Sequence, residues 1–270
     1  MKELTIVIPT YNRRERLLNL LHSLYVQPEV MEVSILILDN HSNYDVKEII
    51  EKEFPKEFTD NIEVVRNRFN IGMNANLASV FLYPQTKWIW TIGDDDEATE
   101  NSLSIILKDV KKHPKTSLLK YSVDNIKFDE QIIRTLPEFI SYVKERKYPQ
   151  GPIIFLSNNV YNMEYVEKYL GNTLSNCYSA IGHMLPAFNA LNSGEATIIF
   201  RDTEISRFYS ADENMTWSYL NTIMGLRTVP GFDNNLTHKQ FCDFQVPAVD
   251  RCPGRCGGRK QRIRFFTASV

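Results

Sequence analysis

Glycine and cysteine are scarce in this 270-residue chain, which has 11 of the first and four of the second. No strand-like segment is followed by G-x-G-x-x-G, so a nicotinamide-dinucleotide fold is excluded. The first apolar run ends in Pro9-Thr10-Tyr11-Asn12-Arg13, which has no glycine to bring backbone amides around a phosphate; this argues against a sugar nucleotidyltransferase. Cys242, Cys252 and Cys256 crowd the C-terminus, unlike the framework of a disulfide-stapled secreted domain, and suit a reducing compartment. Long apolar runs are missing too. Ser34 to Leu38 and Trp88 to Ile92 fall far short of the ~20 residues that cross a bilayer. Met1-Lys2-Glu3 opens directly onto Leu4, without the basic and apolar regions of a secretory leader, so cytoplasmic residence is expected. Charge of one sign is also absent: 31 basic against 33 acidic residues give a net charge of -2 and no general pull toward nucleic acid. The 43% of apolar residues are enough for a substantial core.

The apolar residues are patterned. Leu4 to Ile8 is short, β-branched and stopped by Pro9, which predicts a buried strand. Leu17, Leu20, Leu21 and Leu24 then recur at helical spacing. A second strand, Val33 to Leu38, leads to a helix from Val46 to Phe54 that Pro55 stops. Ile62 to Val65 is a third strand, Met73 to Leu82 a third helix and Lys87 to Ile92 a fourth strand. This alternation predicts an α/β fold with a mainly parallel central sheet flanked by helices. Leu103 to Val110 continues as helix and Ser117 to Val123 as strand. Beyond them the pattern loosens: Leu136 to Lys144, Met163 to Tyr169 and Met184 to Leu191 read as helices, and Pro152 to Leu156 as a short strand. The expected organisation is a donor-binding half over residues 1–115 and an acceptor-binding half of the same domain over 116–245. Residues 246–270 form a basic, Cys/Gly-rich tail outside the fold.

Ligands of such sheets bind beyond the carboxyl ends of the strands. Those ends carry Thr10-Tyr11-Asn12, Asp39-Asn40, Arg66-Asn67 and Gly93-Asp94-Asp95-Asp96. Three adjacent carboxylates raise one another's pKa values unless a cation neutralises them. A hard divalent ion held by one or two carboxylates together with substrate phosphates meets that need. The bland reading of the triplet is a solvated turn capping the helix that follows.

Four segments in order resemble the family 2 glycosyltransferases of the GT-A fold. They are Thr5-Ile6-Val7-Ile8-Pro9-Thr10-Tyr11-Asn12-Arg13, Leu38-Asp39-Asn40-His41-Ser42, Asn70-Ile71-Gly72-Met73-Asn74-Ala75-Asn76 and Gly93-Asp94-Asp95-Asp96. The resemblance implies a nucleotide-diphospho-sugar transferase that inverts the anomeric centre. It would move a sugar to a saccharide or lipid-linked saccharide acceptor, in surface polysaccharide biosynthesis, with Mn²⁺ or Mg²⁺. It also implies that Pro9, Tyr11 and Asp39 contact the nucleobase and that Asp94 and Asp95 meet ribose or metal. Asp96, with Asp94, would hold the metal, and Asn74 would line the donor site. Gly93 stands where the family's acidic motif begins with Asp.

The resemblance further implies a general base about 90 residues past the acidic motif, where a side chain takes the proton of the attacking hydroxyl. That distance falls at Gly182-His183, with no carboxylate alongside. His183 is one candidate, set against a structural histidine at a helix start. Asp212, next to Glu213, is the other, and Glu195 and Asp202 are further carboxylates in this half. A nucleotide-sugar-binding protein without transfer activity is the alternative of a different class. Trp88, Trp90, Phe81 and Tyr83 are expected in the core, and Trp217 is divided between the core and stacking on a sugar ring. His238, Cys242, Cys252 and Cys256 are compatible in type with zinc. The other readings of the tail are a solvated basic segment, a translation artefact, and peripheral contact with anionic lipid at the inner face of the membrane.

Overall fold

The computed structural model describes residues 2–123, 126–179 and 181–208. Asp212, Glu213, Trp217 and the His/Cys tail lie outside the described residues. The chain begins β1 (Leu4–Thr10), α1 (Arg14–Tyr25), β2 (Ser34–Asp39), α2 (Val46–Glu53), α3 (Lys56–Thr59), β3 (Ile62–Arg66), α4 (Met73–Ala78) and β4 (Trp88–Thr91). It continues β5 (Asp96–Ala98), α5 (Ser102–Lys112), β6 (Thr116–Ser122), β7 (Gln131–Ile133), α6 (Leu136–Glu145) and α7 (Gln150–Ile154). Then come β8 (Asn159–Asn162), α8 (Met163–Val166), α9 (Leu170–Ser175), α10 (Leu185–Asn192), β9 (Thr197–Glu204) and β10 (Ser206–Phe208).

Eight strands form one sheet in the order β3-β2-β1-β4-β8-β6-β9-β7. The β3-β2-β1-β4 side is parallel throughout. β8 runs antiparallel between β4 and β6, β9 is parallel to β6, and β7 closes the edge antiparallel to β9. A separate antiparallel pair, β5 with β10, sets Phe208 opposite Asp96.

Continuous apolar strands are buried on both faces, as a sheet covered by helices on each side requires. Leu4, Ile6 and Ile8 of β1 pack with Leu17, Leu20 and Leu21 of α1, Ile49 of α2 and Ile106 of α5. Val7 points the other way, into a core with Phe139 of α6 and Leu185 and Phe188 of α10. Trp88 and Trp90 fill the first of these cores and Phe81 the second. Tyr83 does not share their burial and is 41% exposed, a correction to the expectation for it. Local signals set the helix ends. Asp45 accepts the Glu48 amide at 3.1 Å and so caps α2.

Pro152 to Leu156 is not a strand. It falls largely within α7, which Pro149 precedes, and its apolar run Ile153-Ile154-Phe155-Leu156 is too short for length to decide between helix and strand. The strand of this region is β8, Asn159-Val160-Tyr161-Asn162, every residue of it buried.

Candidate active site

The carboxyl ends of β1, β2 and β3 and the loop after β4 are tied together by polar side chains. Asn12 and His41, just past β1 and β2, adopt left-handed φ values of 55° and 70°. Each is held there by hydrogen bonds, which offset the cost of that conformation. The Asn12 amide donates to Ser42 Oγ at 3.0 Å and Asn12 Oδ1 accepts the Asn43 amide at 2.8 Å. His41 Nδ1 lies 3.2 Å from the Asn67 carbonyl. The segment before α4 joins the same network. Asn40 Nδ2 donates to Asn70 Oδ1, and Asn67 Nδ2 donates to both Asn40 Oδ1 and Asn76 Oδ1. Gly72, at φ 85°, makes the turn into α4 that a side chain would strain.

Asp39 is fully buried at the end of β2. Its Oδ1 accepts the Ser42 amide at 2.8 Å and its Oδ2 accepts Arg66 Nη1 at 2.7 Å. Arg66 also donates to the Tyr44 and Ser42 carbonyls, so this ion pair shapes the loop beyond β2.

The acidic triplet divides by environment. Asp94 is 3% exposed. Thr10 Oγ1 donates to its Oδ2 at 2.7 Å and Arg13 Nη1 to its Oδ1 at 3.0 Å, joining the loop to the end of β1 across 84 and 81 residues of sequence. Burial pushes the Asp94 carboxyl up to about 6, against the opposing pulls of the Arg13 charge and the Thr10 hydrogen bond. Asp95 adds a smaller push, so burial outweighs the like-charge repulsion anticipated from sequence. Asp95 is more open, its side chain 34% exposed, with Arg13 at 2.8 Å and Arg16 at 3.7 Å from Oδ2. Asp96 opens β5, is 4% exposed, and accepts a short hydrogen bond from Ser157 Oγ.

The glycine that departs from the family's motif has a physical reason. The Asp96 amide closes a turn onto the Gly93 carbonyl at 3.1 Å. A Cβ at position 93 would stand 2.9 Å from Asp95 Oδ1 and 3.2 Å from Asp96 Oδ2. Only glycine leaves those oxygens where they are.

The model of glycosyl transferase family 2 matches residues 5–170. The chain belongs to that family. A 105-residue stretch is 35% identical to abequosyltransferase RfbV of Salmonella typhimurium, covering 38% of this chain and 31% of that protein's length. Of solved structures, S. aureus TarS in complex with UDP-GlcNAc superposes with a TM-score of 0.63 at 14% identity, over 92% of this chain and 72% of that one. A mannosyltransferase of Pyrobaculum calidifontis in complex with GDP-Man and Mn²⁺ gives 0.55 at 11% identity, over 83% and 61%. The two structural likenesses identify the fold, GT-A.

The remaining family-implied positions are distributed as follows. Pro9 is buried inside β1, in register with Leu38 of β2. Tyr11 stands at the edge, 43% exposed. Asn74, in the first turn of α4, reaches the Tyr178 carbonyl at 3.3 Å. His183 lies inside the protein, 4% exposed, with Nε2 2.9 Å from the Ile154 carbonyl. Burial, with the nearby charge of Lys120 adding to it, pushes its pKa down to about 4.

Sequence reasoning passed over Arg13, Arg16 and Ser157. Arg13 carried a signal, as the basic residue closing a motif that faces an acidic one. Ser157 carried none.

No three His, Cys, Asp or Glu side chains converge as a metal cage among the described residues. The donor set instead suits an ion taking one or two carboxylates and completing its shell from a diphosphate. Asp94 offers a buried carboxylate that favours protonation, and Asp95 offers the accessible one beside it.

Proposed function

We propose that this protein transfers a sugar from a nucleoside-diphosphate sugar to a saccharide or lipid-linked saccharide acceptor, with inversion at the anomeric carbon. The observation that carries the reading is the convergence of Thr10, Arg13, Asp94 and Asp95 on the edge where Tyr11 and the Asp39 loop also lie. In this reading Tyr11 lies against the base, Asp94 and Asp95 face the ribose and the ion, and Arg13 and Arg16 draw in the diphosphate. Bound Mn²⁺ or Mg²⁺ would offset the charge developing on the leaving diphosphate. Asp95 and Asp94 are the ligands the geometry favours. Asp96, packed under the loop against Ser157, supports them.

For the general base, Asp212 is preferred to His183. A histidine turned into the core and donating to a backbone carbonyl has no reach to an acceptor hydroxyl. Asp212, which lies outside the described residues, follows β10 in the sequence, and β10 pairs with the strand that Asp96 opens. Surface polysaccharide assembly at the cytoplasmic face of the membrane is the setting this chemistry suits. No helix among the described residues is long and apolar enough to cross a membrane.

The test is a panel of nucleotide sugars assayed for metal-dependent release of nucleoside diphosphate. One donor should be turned over by the wild type, and Asp212→Asn should abolish turnover while retaining donor binding. His183→Gln should keep turnover. Donor binding with no release from any sugar nucleotide, with or without a saccharide acceptor, would make the protein a binding module instead.

A further inference from the structure

The acidic loop rests on one buried hydroxyl. Ser157, fully buried between α7 and β8, accepts the Gly93 amide on its Oγ at 2.9 Å and donates the same hydroxyl to Asp96 Oδ2. The two residues it touches bracket the turn that holds Asp94 and Asp95. Its carbonyl accepts Trp90 Nε1 at 2.8 Å and Ser206 Oγ at 3.1 Å, tying it to β4, which leads into the loop, and to β10, which pairs with β5.

Ser157 is itself held from below. Lys120 of β6 is fully buried, and its ammonium donates to the Asn158 and Asn159 side chains and to the Phe155 carbonyl at 3.2 Å. Burial drives its pKa well below the usual lysine range. Asn158 Nδ2 returns a bond to the Tyr121 carbonyl at 2.6 Å and Asn159 Nδ2 one to the Phe155 carbonyl at 2.8 Å, so residues 155–159 are fixed on β6. Placing an amine at the centre of a sheet with neutral acceptors is costly for stability alone.

We propose that Ser157 is a positioning residue for the donor site, setting the separation and direction of the Asp94 and Asp95 carboxylates from beneath, with Lys120 locking the segment that carries it. The inference rests on the nucleotide-sugar reading of that site. Groups that orient metal-binding carboxylates change metal affinity by roughly 10–100-fold when removed, which sets the expected scale.

Calorimetric titration of the full chain with UDP and with GDP, each with Mn²⁺ and with chelator, separates the possibilities. Ser157→Ala should weaken Mn²⁺-dependent binding by about 10-fold or more and leave the metal-free affinity within about twofold. Ser157→Thr, which restores the hydroxyl, should recover most of the loss. Ser206→Ala, which removes a bond to the same residue but not to the loop, should bind as the wild type does. A wild type with no Mn²⁺-dependent binding sinks the donor reading and this inference with it. Binding by Ser157→Ala equal to that of a responsive wild type overturns this inference alone. So does an equal loss with and without metal, a Thr variant no better than Ala, or an Ala variant that no longer folds, since each marks a structural role.

Discussion

The two sides of the central sheet use polar residues in opposite ways. On the β3-β2-β1-β4 side they stand at the carboxyl ends of the strands, where Tyr11, Arg13 and Asp95 keep access to solvent. On the β8-β6-β9 side they are inside: Lys120, Ser157, Asn158, Asn159 and Asn162 are all fully buried, and His183 nearly so. In the proposed reading, the first side presents charge to a ligand and the second is the scaffold that aims it. The two meet where Ser157 accepts the Gly93 amide and donates to Asp96.

That division is open to attack by substitution. The largest effect on stability is expected at Lys120→Met, which keeps the volume and strands the Asn158 and Asn159 side-chain oxygens. It should cost about 3 kcal/mol in urea unfolding, and a neutral outcome would remove the scaffold from the comparison. Next comes pH. His183 is held neutral in the fold down to about 4, whereas the unfolded chain takes up its proton near 6.5. The unfolded state therefore binds more protons between those values, and stability falls as pH drops through that window. The contribution is on the order of 3 kcal/mol at most and is nil above pH ~6.5. The His183→Gln profile should lack this component, and identical wild-type and variant slopes would count against the buried neutral imidazole. The smallest stability effect is expected at Gly93→Ala, about 1 kcal/mol from displaced carboxylates. Its main readout is a loss of Mn²⁺-dependent nucleotide binding, because the new methyl meets Asp95 and Asp96 first.

The same contrast explains what was legible in the sequence. β1, β2, β3 and β4 announced themselves as apolar runs ended by Pro9, Asp39-Asn40, Arg66-Asn67 and Gly93. β1, β2 and β4, buried on both faces, have to look that way, whereas β3 is a half-exposed edge strand. The residues at their ends were readable as ligand-facing because topology alone puts them on one edge. β8 was not legible: four residues with asparagine at both ends satisfy no hydrophobic template, and their burial depends on β4 and β6 arriving on either side. The β5 strand begins on a carboxylate, which local propensity disfavours, and exists through its pairing with β10. Lys120 and Ser157 left no trace in the pattern. A lysine between Leu119 and Tyr121 reads as a surface residue until Asn158 and Asn159 are brought against it. His183 stands at the expected distance from the acidic motif, but distance along the chain does not report which way a side chain faces.

The central claim is that the acidic loop holds a diphosphate through a divalent ion. It is tested most directly by calorimetric titration of UDP and GDP into the wild type and Asp95→Ala, with Mn²⁺ and with chelator. The account predicts that one nucleotide binds the wild type much more tightly with Mn²⁺ than with chelator and that Asp95→Ala removes this gain. Its stability should change by no more than about 1 kcal/mol, the scale of an exposed ion pair. Binding of equal strength in chelator, or an Asp95→Ala variant that binds as the wild type does, would contradict it.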